Sequence, residues 1–388
     1  MRLSFLPLPT LIAGFVAVLV GYTSSAAIIW QAAEAAGANS QQIAGWLTML
    51  GLAMGVSTLI LTLFYRAPIL TAWSTPGAAL LASSLPGHSI NQAIGIFIFA
   101  SLLIIIFGVT GWFARVMRLI PQGLSAAMLA GILLRFGIDS FATLQGHFVL
   151  SAFMLIAWLM VKVIAPRYAV IAALVSGLLV CLLQGEFHFP SLETASALPV
   201  FTSPEFRLSD LIGIGIPFFL VTMASQNAPG IATLRASGYA IPVSGLIVVT
   251  GLTALLLAPF GVFSVCIAAI SAAICQGPDA HPDKSKRWLA SAAAGGFYLA
   301  AGLFGAAISS FLTAVPGAFI SLMAGIALFG TIAASLHQAL ENESLRDAAL
   351  ITFLITASGI NLLGISAPFW GLIIGMGYVF CLSLRPRT

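Results

Sequence analysis

The sequence predicts an all-α polytopic membrane protein of about 14 transmembrane segments. Three observations carry that reading. Of 388 residues 60% are hydrophobic and only 7% charged, more apolar surface than a water-soluble fold can bury. Apolar runs of spanning length follow one another with short polar gaps. Finally, thirteen of the fifteen basic residues fall on one side when the segments alternate from a cytoplasmic N-terminus.

Hydropathy places the segments in order. The first seven cover 11–33, 43–65, 67–84, 93–113, 124–137, 148–163 and 169–183. The run at 11–33 is long enough to span, so it reads as a first segment rather than a cleaved signal peptide. A polar stretch at 186–209 contains Phe187, Phe189, Pro190, Pro199 and Pro204 and divides the chain. It reads as a periplasmic connecting loop. Seven more segments follow at 211–228, 241–258, 261–275, 288–306, 311–333, 348–363 and 367–384. The expected units are therefore 1–185, the loop, and 210–388.

The charge map tests this order. Arg2, Arg66, Arg115, Arg118, Lys162, Arg167, Arg235, Lys284, Lys286, Arg287, Arg346, Arg385 and Arg387 fall inside, while Arg135 and Arg207 do not. The agreement holds only if segments three and ten each count as one crossing.

Segment three is not one helix. Pro68 opens it, 69–73 suits an extended run, and Ser74 or Thr75 can cap a new helix with Pro76 in its first turn. The helix that follows is too short to cross a bilayer. A half-helix that starts near the midplane presents unpaired N–H groups and a positive dipole end, which suits an anion. Taken alone, the stretch fits a kinked packing helix equally well.

A repeat links it to segment ten. Gly131 in Met128-Leu-Ala-Gly-Ile-Leu-Leu134 and Gly325 in Leu322-Met-Ala-Gly-Ile-Ala-Leu328 lie 194 residues apart. Pro76–Leu80 falls opposite Ile270–Ile274 at the same spacing, and Leu11 opposite Leu211 at 200. Seven segments per half is odd, so the halves must insert with opposite orientation. This is the inverted-repeat plan of secondary transporters, with the site at the repeat interface.

Polar residues inside spans are few. They cluster at Tyr22-Thr-Ser-Ser25 in segment one, Ser74 and Thr75 in segment three, Thr222 to Asn227 in segment eight, and Ser264 and Ser271 in segment ten. Those are two symmetry-related pairs. For Thr23, Thr222 and Ser264 the simpler reading is a hydroxyl bonded back to its own helix. For Gln226 and Asn227 a cavity is preferred, because two amides at membrane depth are costly otherwise. Trp73, Phe218, Phe219, Met223 and Ile270 are candidates to wrap an apolar body. With no Lys or Arg in the core and Arg135 nearest, a singly charged anion is favoured over sulfate or phosphate.

The acids and histidines lie at segment ends or in loops, so no proton relay is visible. Asp279 and His281, in Gln276-Gly-Pro-Asp-Ala-His-Pro-Asp-Lys284, are candidates for gating or for carrying a proton. The alternative is a capped turn fixed by Pro278 and Pro282. The four cysteines read as core thiols, and no metal site is indicated. Cofactor and nucleotide motifs are absent, as is a Ser/His/Asp set, which argues against an enzyme. No basic cluster interleaved with aromatics points to nucleic acid.

Six stretches resemble the bacterial benzoate transporter family (BenE), in particular its enterobacterial inner-membrane branch. They are Gly21-Tyr-Thr-Ser-Ser-Ala-Ala-Ile-Ile-Trp-Gln-Ala32, Ala72-Trp-Ser-Thr-Pro-Gly-Ala-Ala-Leu-Leu81, Met128-Leu-Ala-Gly-Ile-Leu-Leu-Arg-Phe-Gly137, Ala165-Pro-Arg-Tyr-Ala-Val-Ile-Ala-Ala173, Phe219-Leu-Val-Thr-Met-Ala-Ser-Gln-Asn-Ala-Pro-Gly-Ile-Ala232 and Ala272-Ala-Ile-Cys-Gln-Gly-Pro-Asp-Ala-His-Pro-Asp-Lys284. The resemblance covers the whole length. It implies a proton-coupled benzoate symporter of the inner membrane with cytoplasmic termini and no cofactor. It also implies kinship with uracil and ascorbate transporters and sulfate permeases. A core domain of segments 1–4 and 8–11 and a gate domain of segments 5–7 and 12–14 follow from it, as does a possible homodimer. The implied substrate residues are Ser24, Ser25, Ser74, Thr75, Gly77, Ser225, Gln226, Asn227, Ile270 and Ser271. Where the nucleobase branch places a glutamate in segment eight, this chain reads Ser225-Gln226-Asn227, which fits an anionic substrate. The rival readings are an uncoupled anion facilitator or channel, or a transporter of another small organic anion.

Overall fold

The computed structural model describes residues 7–112, 121–187 and 199–384, with the side chains of Arg167 and Ile270 left undescribed. The expected placements of Arg2, Arg115, Arg118, Arg385, Arg387, Phe189 and Pro190 lie outside the described residues, as does most of the connecting loop.

The first half contains α1 (Leu8–Ala35), α2 (Ser40–Tyr65), β1 (Thr71–Ala72), α3 (Thr75–Ser84), α4 (Ile90–Thr110), α5 (Gln122–Gly146), α6 (Phe148–Ile164) and α7 (Ala169–Gln184). The sequence marks several of these ends. Asn39 and Ser89 each form a capping box, with Gln42 and Gln92 answering three residues on. The second half begins with α8 (Leu208–Ala236) and α9 (Val243–Leu257), followed by β2 (Cys266–Ile267) and α10 (Ile270–Gln276). It continues with α11 (Trp288–Leu303), α12 (Gly305–Ala314), α13 (Gly317–Leu340) and α14 (Arg346–Ser358). A hairpin of β3 (Asn361–Leu362) and β4 (Ile365–Ser366) leads into α15 (Ala367–Ser383).

Among the described residues seven helices are long and apolar enough to cross a membrane, or eight if the bent pair α11–α12 is one span. Exposed Phe148, Phe153, Ile156, Leu159 and Val163 give α6 an apolar outer face suited to lipid.

Three boundaries depart from the sequence reading. Helix α8 runs on to Ala236 rather than stopping near 228. Its two prolines, Pro217 and Pro229, each follow a π turn, Leu211–Gly215 and Met223–Asn227. Proline lacks the N–H of the regular ladder, and the wider turn absorbs that loss. The apolar run at 288–333 divides into three helices, because α11 and α12 meet at a 61° bend. Gly305 lies against α2 so closely that a Cβ there would collide with Thr48 Oγ1. Segment thirteen ends at Ser358, and 359–366 form the hairpin instead. Its turn places Leu363 and Gly364 at φ 56° and 75°, the paired positive values of a tight two-residue turn.

The centre of the molecule is the crossing of the two broken segments. Strands β1 and β2 pair antiparallel, Thr71 with Ile267 and Ala72 with Cys266. Each strand then feeds a short helix. Helix α2 supports the first strand with hydroxyls: Thr62 Oγ1 donates to Ile69 O at 2.6 Å, and Thr58 Oγ1 accepts from Thr71 N at 3.0 Å. Thr71 Oγ1 donates to Met54 O at 3.0 Å and lies 2.7 Å from Ser57 Oγ. Around this crossing α1 packs on α3, α10 and α11, and α2 packs on α11. Elsewhere α4 packs on α9, and α5 packs on α13 and α14.

Thr71→Val removes a buried hydroxyl from this ladder and leaves its partners short of a bond. Such a loss costs roughly 1–3 kcal/mol. The variant should melt below the wild type in detergent, while Thr71→Ser should stay near it.

Candidate functional site

Segment three supplies its own cap. Ser74 Oγ accepts from Gly77 N at 3.0 Å, and Ala78 N donates to Ser74 O at 2.8 Å. Ser74 N in turn donates to Ser264 Oγ at 2.9 Å, which ties α3 to the opposite unit. The expected backbone cradle for a carboxylate at the start of α3 is therefore partly filled by Ser74. Gly77 permits contact with α8, since a Cβ there would lie 2.7 Å from Phe218 Cε2.

A cavity of about 110 Å3 lies beside this cap. Its walls come from α1 (Val20, Gly21, Ser24, Ser25), Trp73 just after β1, the start of α3 (Thr75), α8 (Gln226), the start of α10 (Ser271) and α11 (Tyr298). Ser25 Oγ and Thr75 Oγ1 are 2.8 Å apart, and Ser24 Oγ donates to Gly21 O at 3.1 Å. Trp73 meets Tyr22 edge-on with ring centres 4.7 Å apart.

A larger cavity of about 470 Å3 opens between α8 and the pair α5 and α13. Ser225, Ser125, Ser335, Thr331, Gln122 and Gln338 give it polar lining. Ser225 and Gln226 are thus successive residues of one π turn that face different cavities. Among the described residues no carboxylate, imidazole, ammonium or guanidinium lines either one.

Six of the expected residues meet at the small cavity or its rim: Ser24, Ser25, Thr75, Gln226 and Ser271 line it, and Ile270 opens the helix beside it. Ser225 belongs to the larger cavity. Ser74, Gly77 and Asn227 are structural. Asn227 is fully buried; its Oδ1 accepts from Ile267 N at 2.9 Å, and its Nδ2 points to Met223 Sδ at 3.1 Å. The amide thus completes the edge of β2. Phe218 and Phe219 pack on Phe97 and Phe107 rather than on the cavity.

The 276–287 loop forms a capped turn. His281 Nδ1 accepts from Asp283 N at 3.0 Å, and Arg287 donates to His281 O and Gln276 O, both at 2.9 Å. Hydrogen bonds from the Ser285 side chain and backbone hold the Asp283 carboxyl below the usual carboxylate range. Asp279 is exposed on the outside of this turn.

Two features escaped the sequence reading. Asp210, taken as a loop acid, is buried at the start of α8 and lies 3.6 Å from His88 Nε2. Tyr298 reads as one more apolar residue of a span, yet its phenol reaches the small cavity. No pattern in the sequence marks either one, because each depends on a partner from another element.

Residues 4–381 match the family described as Benzoate membrane transport protein (BenE). The chain belongs to this family. It is 60% identical over 375 residues to the inner membrane protein YdcO of Escherichia coli, covering 97% of this chain and 96% of that protein. The Benzoate membrane transport protein of Acinetobacter baylyi is 36% identical over 377 residues, covering 97% and 95%. Among solved structures, the murine anion transporter Slc26a9 in the inward-facing state aligns with a TM-score of 0.61 at 13% identity, over 99% of this chain and 69% of that one. The transmembrane domain of the cyanobacterial bicarbonate transporter BicA aligns at 0.63 with 14% identity, over 95% and 97%. At such identities the likeness establishes the fold alone. Membership of the benzoate membrane transport family makes this chain a membrane transport protein and not an enzyme.

The two amides of α8 give a direct contrast. Asn227→Leu strands the Ile267 N–H and should lower the melting temperature, at a cost of roughly 1–3 kcal/mol. Gln226→Leu should leave the melting temperature of the unliganded protein close to wild type and alter only the response to ligand.

Proposed function

We propose that this BenE protein imports benzoate, or a closely similar aromatic carboxylate, by proton symport with alternating access. The observation that carries the substrate is the small cavity. It offers hydroxyls and one amide around an aromatic wall, and among the described residues it holds no fixed carboxylate to repel an anion. Membership of the family and the name of the Acinetobacter relative support the same substrate class.

In this reading the carboxylate sits among Thr75, Gln226 and Ser271, and the ring rests toward Trp73. The proposed core comprises α1–α4 and α8–α11, and the proposed gate comprises α5–α7 and α13–α15. The two halves, 1–185 and 210–388, act as inverted repeats joined by a periplasmic 186–209 loop. The larger cavity, at the boundary of those domains, serves as the route to the cytoplasm, with both termini on that side. A homodimer through the gate fits the same plan.

A second reading, an uncoupled facilitator, is favoured by one observation: among the described residues neither cavity is lined by a titratable carboxylate or imidazole. Purified protein in liposomes separates the two. Symport predicts that labelled benzoate accumulates above its gradient when the proton gradient points inward, and that collapse of the proton gradient abolishes accumulation. Equilibration without accumulation would establish the facilitator. Absence of benzoate uptake by folded protein would refute the substrate assignment.

A further inference from the structure

Three hydroxyls at the small cavity, and the Ser74 hydroxyl beside it, are already engaged. Ser24 bonds to Gly21 O, Ser25 shares a hydrogen bond with Thr75, and Ser74 caps α3. Tyr298 is different. It lies on α11 and is 1% exposed, it lines the cavity, and its hydroxyl has no hydrogen-bond partner. A buried tyrosine hydroxyl normally finds one, because an unpaired polar group in an apolar interior is costly. The neighbouring hydroxyl, Ser271, lines the same cavity and is close enough to the phenol to interact with it, without making a hydrogen bond of normal length.

The hydroxyl is buried where α11 packs against α1 at the edge of the cavity. Gly21 on α1 faces it, and a Cβ at that position would come 3.5 Å from the Tyr298 hydroxyl. Any side chain larger than hydrogen would therefore stand over the phenol. Tyr22, the other phenol without a partner, is turned away: its hydroxyl lies 2.5 Å from where a Gly51 Cβ would stand, on the α2 side. Tyr22 contributes its ring edge to Trp73 and leaves Tyr298 as the uncommitted phenol donor of the cavity.

We propose that the Tyr298 hydroxyl donates a hydrogen bond to the carboxylate of the transported acid and selects an anionic head group over a neutral one. This inference rests on the benzoate reading above. A neutral phenol suits the task. It can donate to an acceptor-only carboxylate, and it brings no fixed charge that would hold the anion in place. It also explains why a donor is kept dry and unpaired at the centre of the fold: the ligand completes it.

The test compares wild type, Tyr298→Phe and Gly21→Ala in liposomes, with benzoate and its neutral isostere benzamide as competitors. Tyr298→Phe keeps the ring and removes only the donor. The transport KM for benzoate should rise roughly ten- to a hundredfold, as expected for a lost hydrogen bond to a charged group. The melting temperature without ligand should be unchanged or higher, since an unpaired buried hydroxyl is gone. The benzoate-induced rise in melting temperature should shrink, and the preference for benzoate over benzamide should narrow. Gly21→Ala should move KM and preference in the same direction with the phenol still present, so the result does not depend on one variant. Wild-type KM and preference in both variants would overturn the assignment of Tyr298 alone. A wild-type protein that neither transports benzoate nor melts higher with it would overturn the benzoate reading and this inference with it.

Discussion

The fold depends on satisfying every backbone N–H and C=O of two extended segments inside an apolar slab. No water is available there to take up a stray donor or acceptor. The chain meets the constraint with one short antiparallel ladder and a ring of side chains. Ala268 N donates to Leu70 O, Thr62 and Thr58 attend to Ile69 and Thr71, Ser264 receives Ser74 N, and Asn227 receives Ile267 N. Gln276 Nε2 reaches Pro68 O at 3.3 Å and closes the far end. Helices α2 and α8 and both broken segments are thereby locked to one another at their crossing.

That lock decides what the site can be. Ser74 takes up the Gly77 N–H at the start of α3, so that helix end is only partly open to an anion, while α10 begins at Ile270 beside the cavity with no side-chain cap. Polar side chains on α1, α8, α10 and α11 add to the lining. Hydroxyls and an amide stabilise a carboxylate less than a guanidinium would. A transporter has reason to stop there, since a ligand must be held firmly enough to enter and loosely enough to leave.

Local punctuation made the first broken segment legible. Pro68, Ser74 and Pro76 mark an extended run, a cap and a first helical turn, and the structure places all three so. Segment ten has no such marks, and the charge map and the 194-residue spacing pointed to it. Reasoning failed where a tertiary partner changes a residue's meaning. Hydropathy ends segment eight at 228, but the π turn before Pro229 carries α8 onward. Asn227 looked like a cavity amide because burial is costly, yet that cost is met by a backbone N–H forty residues away. The bend at Phe304 and the 361–366 hairpin lie within apolar runs whose hydropathy does not change.

The π turn Met223–Asn227 gives α8 a further role. A regular α-helix advances 100° per residue, whereas the wider turn alters which faces its successive side chains present. Ser225 faces the larger cavity, Gln226 the smaller one, and Asn227 the strand. Three neighbouring residues therefore touch three different environments. Asn227 fixes α8 to β2, so this turn cannot slide along the crossing without breaking the Ile267 hydrogen bond. On the proposed alternating access, movement would instead occur at the face where Ser225 meets α5 and α13, across a cavity rather than a packed seam. The crossing would travel as one rigid body, and the boundary that opens and closes would be the one already lined by Ser125, Ser225 and Ser335.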